Sequence, residues 1–174
     1  YAASQKGRME WDRTQAELFW STRPSDSVQV LSAAYHHYLT RDWTKINGFR
    51  GGPALHTLLG ADSTSGQAAV FMAVLRGEED SRGTTQQLML GTNARQFHSY
   101  GVQSRARWRK NFASVSSELE TGVRLHGDHV TRQHTELPQL MRGGRLVSAG
   151  ERSSTLVDSV ATARALAVFV HEDL

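Results

Sequence analysis

Residues 104–127 read SRARWRKNFASVSSELETGVRLHG. Trp108, Phe112, Val115, Leu119 and Val123 recur at steps of four, three, four and four, the spacing that lines one side of a helix with 3.6 residues per turn. Ser104 suits the N-cap of such a helix through its hydroxyl. Gly127 suits its end, because glycine adopts the left-handed conformation after the last turn freely. The segment therefore predicts a helix with a core-facing stripe.

Its charges run against that helix. Arg105, Arg107, Arg109 and Lys110 fall in the first two turns, where the macrodipole favours carboxylates, and Arg105 with Arg109 is a like-charge pair four residues apart. Each conflict costs roughly 0.2–1 kcal/mol. Between Asp80 and Glu118 the chain carries Arg82, Arg95, Arg105, Arg107, Arg109 and Lys110 without one acidic residue, and Phe97, Tyr100, Trp108 and Phe112 are interleaved. An unopposed basic stretch with aromatics points to an anionic partner: nucleic acid, an anionic lipid head group, or the acidic surface of another protein. Folding that brings carboxylates over to a solvated basic face accounts for the same residues equally well. Arg95, Tyr100, Arg105, Arg107, Arg109 and Lys110 are the partner-binding candidates.

Length and composition frame this segment. The 174 residues are the size of one domain, 1–174, with residues 1–24 as an N-terminal arm, and a domain of this size buries roughly 70% of the surface its unfolded chain exposes. The absence of cysteine excludes disulfides, thiolate metal sites and a cysteine nucleophile. No apolar run reaches the roughly 20 residues a membrane helix needs; the longest, 157–170, is broken by Asp158, Ser159 and Arg164. A soluble or peripheral chain that does not span a membrane is expected.

Of the 20 basic residues all but Lys6, Lys45 and Lys110 are arginine, and the net charge is +3. Arginine is favoured where a cation is held against carboxylate, phosphate or aromatic faces, although a GC-rich genome raises arginine without regard to function. The small-residue start YAAS is of the kind left by removal of a targeting segment, which favours a mitochondrial location.

Along the chain, residues 8–20 suggest a short helix of poor period. Asp26 with Gln29 suggests a capped helix carrying Leu31, Ala34, Tyr35, Tyr38 and Leu39 inward. Residues 44–52, with Gly48, Gly51 and Gly52, predict a loop, and Pro53 starts a short helix that Gly60 closes. Thr64 with Gln67 caps a helix burying Val70, Phe71, Val74 and Leu75 and ending at Gly77. Residues 78–83 predict an exposed charged loop. Thr84 with Gln87 opens a helix to about His98, weakened by Gly91 by roughly 1 kcal/mol. Asp128 caps another helix, ended by Pro138 and Gly143-Gly144, and Ser153 or Ser154 begins the last. Arg145–Ser148 is the best strand candidate. The expected fold is all-α, about seven helices in irregular hairpins, solenoid-like or bundled.

Few constellations carry chemistry. His126, Asp128, His129 and His134 lie within nine residues, but on a helix His129 and His134 face different ways, so they are weak metal candidates and no metal site is expected. Asp128 is better explained as a cap. His36-His37 lack a third group to orient them. GFRGGPA, before a short helix, matches neither the Walker A pattern nor GxGxxG. No nucleophile elbow, HExxH or EF-hand loop occurs.

The residues accordingly predict a non-catalytic helical accessory subunit of a large multi-protein assembly, such as a mitochondrial ATP synthase, respiratory complex or ribosome, with no cofactor and with other protein subunits as partners. The alternatives are an RNA- or DNA-binding domain using the arginine-rich 82–110 stretch, and a viral capsid or shell component.

Overall fold

The computed structural model describes residues 1–60, 65–112 and 115–174, and it overturns the all-α expectation. Seventy per cent of the chain is strand, and the sheet is mostly antiparallel. The described elements are the strands β1 (Arg8–Ser25), β2 (Val28–Phe49), β3 (Leu88–Phe112), β4 (Val115–Arg142), β5 (Arg145–Ser148) and β6 (Ser154–Asp173), with helices α1 (Leu55–Gly60) and α2 (Gly66–Arg76). The sheet order is β1-β2-β3-β4-β5, and β6 also pairs with β4.

The opening segment explains the misreading. A step of four is two strand periods as well as about one helical turn. Trp108 and Phe112 share one face of β3, and Val115, Leu119 and Val123 share one face of β4. The single step of three falls between the two strands, where the apolar phase changes from even to odd positions. Arginines at 105, 107 and 109 alternate with period two, so the sheet removes the conflict that a helix dipole would have imposed.

The chain divides into two units, and β1, β2, β3, β4 and β6 each contribute residues to both. Unit 1 comprises Tyr1–Trp11, Arg41–Arg95 and Arg132–Ser159, and it holds the hydrophobic core. Phe71, Met72, Val74 and Leu75 of α2 and Leu58 of α1 bury against Phe49, Leu88, Met141 and Leu146 of the strands. The Phe49 and Phe71 rings meet edge to face at 4.7 Å. Here the sequence expectations survive in part. A short helix, α1, follows Pro53, and Gly77 ends α2 in the left-handed conformation. Val70, expected inside, is exposed. Thr64 lies outside the described residues.

Two other segments depart from expectation. Residues 44–49 continue β2 instead of forming a loop, and residues 88–98 are strand, with only a short 3-10 turn at Thr84–Gln86 before them. Gly91, read as a weak point in a helix, is where Asn47 crosses the sheet; a Cβ there would overlap the Asn47 side chain. The pair Gly143-Gly144, both at positive φ, turns β4 into β5, whose register pairs Gln139 with Ser148 and Arg142 with Arg145. Buried Gln139 is satisfied, accepting from Lys6 Nζ at 2.6 Å and donating to the Pro138 carbonyl at 3.1 Å.

Unit 2 comprises Asp12–Thr40, Gln96–Thr131 and Val160–Leu174. It contains five strand segments and, among the described residues, no helix. Its tight spots are made by glycines. Gly101 leaves room for the Tyr35 ring, and Gly127, expected to stop a helix, lies under the Tyr100 ring. The capping roles expected for Asp26, Ser104, Asp128 and Ser153 or Ser154 do not arise, because no helix starts at any of them.

The division of burial gives a stability test. Truncating Leu88, which has no exposed surface, to alanine should cost about 2–5 kcal/mol, whereas Val70→Ala on the exposed side of α2 should cost under about 0.5 kcal/mol. Urea unfolding of the two variants against the parent reads both values.

Candidate functional site

Strand alternation sorts the candidate residues of unit 2 onto two faces. On one, β3 presents Arg105, Arg107 and Arg109 to Glu118 and Glu120 of β4. Arg107 Nε lies 2.9 Å from Glu118 Oε1, and its Nη2 lies 2.9 Å from Glu120 Oε2. Arg109 Nε meets Glu118 Oε2 at 2.6 Å, and Arg105 reaches Glu120 at 3.5 Å. Hydrogen bonding to Arg107 holds the Glu120 carboxyl below its ordinary value, and the same bond raises the Arg107 pKa. The hairpin thus supplies the carboxylates that the basic stretch lacks locally.

Farther along the same face is a hydrogen-bonded chain from three strands. Asp128 Oδ2 lies 3.0 Å from His126 Nε2, and hydrogen bonds from Ser99 and then His126 keep the Asp128 carboxyl below its ordinary value. The carboxylate accepts from Nε2–H, and in that tautomer of the neutral ring His126 Nδ1 accepts from the Tyr35 hydroxyl at 2.7 Å. Arg124 donates to the same hydroxyl at 2.8 and 3.2 Å. Carboxylate, imidazole, phenol and guanidinium are therefore serially connected, and each fixes the next in orientation. The signal was Arg124-x-His126-x-Asp128, charged and polar groups at period two; Tyr35 and Ser99 had no local signal at all.

The opposite face is different in kind. His36 and His98 approach at 3.4 Å, the Tyr38 ring lies 4.6 Å from His98, and His129 hydrogen bonds to Thr162 of β6 at 3.2 Å. Beyond them Leu18, Trp20, Val102, Val123 and Leu125 line an open groove of about 330 Å³. Tyr100 lies over Gly127 on this side, and Lys110 Nζ sits 4.8 Å from the Phe112 ring.

The three metal candidates are dispersed. His126 belongs to the chain with Tyr35, His129 is on the opposite face, and His134 is in unit 1, bonded to Asn47 at 3.2 Å. Among the described residues no group of three His, Cys, Asp or Glu could hold a metal ion. Arg95 also lies in unit 1, donating to Asn93 at 3.2 Å. No family model and no curated protein matches this chain.

Two features stand out once these pairs are accounted for. In unit 2 the strands at the ends of the order, β1 and β6, are almost wholly exposed, with Leu18 72%, Leu166 67% and Val170 71% accessible. In unit 1, Arg41 and Arg132 each have a buried Nε without a hydrogen-bond partner.

The ion-pair ladder carries a pH test. The folded pKa of Glu120 is depressed, so its stabilisation is present above the unfolded carboxylate value near 4.3 and is lost as pH falls through the folded value. Glu120→Gln should therefore be less stable than the parent at pH 7, and the gap should close towards pH 3. Thermal unfolding of both proteins across that range measures it; a gap independent of pH removes the ion pair as its cause.

Proposed function

We propose that this chain is a non-catalytic structural subunit that joins copies of itself edge to edge through β1 and β6 of unit 2. The observation that carries this reading is the pair of open edges. β1 pairs only with β2, and β6 only with β4, among the described strands. Each leaves a row of backbone N–H and C=O groups unpaired over about a dozen residues of regular strand. Monomeric proteins blunt such edges by shortening, bulging or covering them.

A second copy fits these edges better than an unrelated strand. Successive strands from β1 to β4, and then β6, alternate in direction, so β1 and β6 run the same way at opposite ends of the order. Their apolar residues also fall in phase. Leu18 and Trp20 lie on the groove face of β1, and Leu166, Val168 and Val170 alternate on β6 with its face fixed by the Thr162–His129 bond. Adding β6 of one copy beside β1 of the next extends one sheet with its apolar face unbroken. The contact is head to tail, and repetition closes a ring or extends a filament.

This reading retains the accessory-subunit expectation without its helices. Both an organellar complex and a viral shell are assemblies of this kind. The basic hairpin fits it too, since Arg105, Arg107 and Arg109 are each paired with Glu118 or Glu120 and act as cross-strand support.

Light scattering during size exclusion should give a mass several times 19.3 kDa that rises with concentration. Leu166→Lys with Val168→Lys, placing two charges on the β6 edge, should return the chain to monomer with its circular dichroism unchanged. A parent that stays monomeric at every concentration sinks the proposal.

A further inference from the structure

Unit 1 carries a row of three arginines that form no ion pair among the described residues. Arg41, Arg95 and Arg132 stand on β2, β3 and β4, neighbouring strands of the sheet. Thr44 and Thr92 meet at 3.0 Å across β2 and β3, and three residues further in antiparallel register Arg41 comes opposite Arg95. Asn47 reaches over Gly91 to Glu136 at 2.7 Å, so β2 and β4 present side chains to a common face. Strand alternation places Arg41, Arg95 and Arg132 on that face.

Three guanidiniums on strands about 4.8 Å apart repel one another. Like charges directly opposite on a sheet are destabilising. Burial lowers the Arg95 pKa, and the charges of Arg132 and then Arg41 lower it further. Among the described residues none of the three forms an ion pair within 4.0 Å. Of the two carboxylates on this face four residues from Arg132 along β4, Glu136 is held by Asn47 and Asp128 by His126. The buried Nε groups of Arg41 and Arg132 are donors without acceptors among the described residues, a condition that is destabilising and rare in folded proteins.

Both deficits ask for the same thing, an anion with several oxygens. The geometry points to a phosphate site in which Arg41, Arg95 and Arg132 converge on one phosphoryl group. A guanidinium offers two parallel N–H donors in a plane, which matches two oxygens of a phosphate. The three forks offer more donors than a carboxylate has acceptor positions, and a tetrahedral oxyanion can accept from all three. Free phosphate and the phosphate of an ester share this chemistry. The site is independent of how the β1 and β6 edges are covered.

Isothermal titration of the full chain with inorganic phosphate, at constant ionic strength set by chloride, should show one phosphate per chain. Arg95→Gln should weaken binding at least tenfold, and Arg95→Lys, which keeps the charge but not the fork, should weaken it by an intermediate factor. Circular dichroism of both variants confirms that each is folded. A parallel titration with glycerol 3-phosphate separates the sources: binding as tight as phosphate assigns the site to esters, and exclusion assigns it to the free ion. No heat above the chloride baseline overturns the proposal, as does an Arg95→Gln variant that binds as tightly as the parent.

Discussion

A backbone strand has two rows of polar groups to satisfy, and everything in unit 2 follows from where those rows find partners. The strands β2, β3 and β4 have neighbours on both sides. β1 and β6 have a neighbour on one side only, and their lengths of 18 and 20 residues exceed the usual three to ten. In water an open edge costs little, because water bonds the free groups. What it forfeits is protection from association. Long edges flanked by exposed leucine, valine and tryptophan invite association, and the edge charges and Pro24 of β1 are the devices that oppose it.

Within the sheet, the two faces divide the labour. One face takes the charges and ties neighbouring strands by side-chain bonds, from Arg109–Glu118 to Asp128–His126–Tyr35. The other carries most of the large apolar side chains. Exposed ion pairs contribute at most about 1 kcal/mol each, so the ladder sets register more than it supplies stability. A slip of one residue would carry Arg105, Arg107 and Arg109 to the apolar face and separate them from Glu118 and Glu120. The register is thus specified by charge on one face and by apolar continuity on the other.

The sequence disclosed unit 1 better than unit 2, for a physical reason. α1 and α2 are short, α1 follows Pro53 and α2 ends at Gly77, and both bury one face against a core, so their periodicity reports burial directly. In unit 2 the apolar residues face outwards and are interrupted by serine and threonine, as at Ser32 and Ser104, which hydrogen bond across strands at 2.9 Å. What remained visible was every second apolar position, spaced by four, and that imitates a helix. The charges held the better clue. Arginine at 105, 107 and 109 would destabilise the start of a helix and is ordinary on one face of a strand. The chain Tyr35–His126–Asp128 joins residues 91 positions apart, and no local pattern announces a contact of that kind.

The two arginine groups on β3 show how much register decides. Arg105, Arg107 and Arg109 and the lone Arg95 belong to one strand and share its parity, so all four project from the same side of the backbone. Beyond Gly101 the antiparallel partner brings Glu118 and Glu120 alongside, and two of the three positive charges are offset. Nearer the core of unit 1 the same partner brings Arg132, while β2 brings Arg41, and the charges add. Nothing in the composition of β3 distinguishes the two cases; only its neighbours do. A chain that places carboxylates against three arginines and, among the described residues, leaves three others aligned without a carboxylate has kept a concentrated positive charge on neighbouring strands, where the spacing of the cations is set by the backbone before an anion arrives.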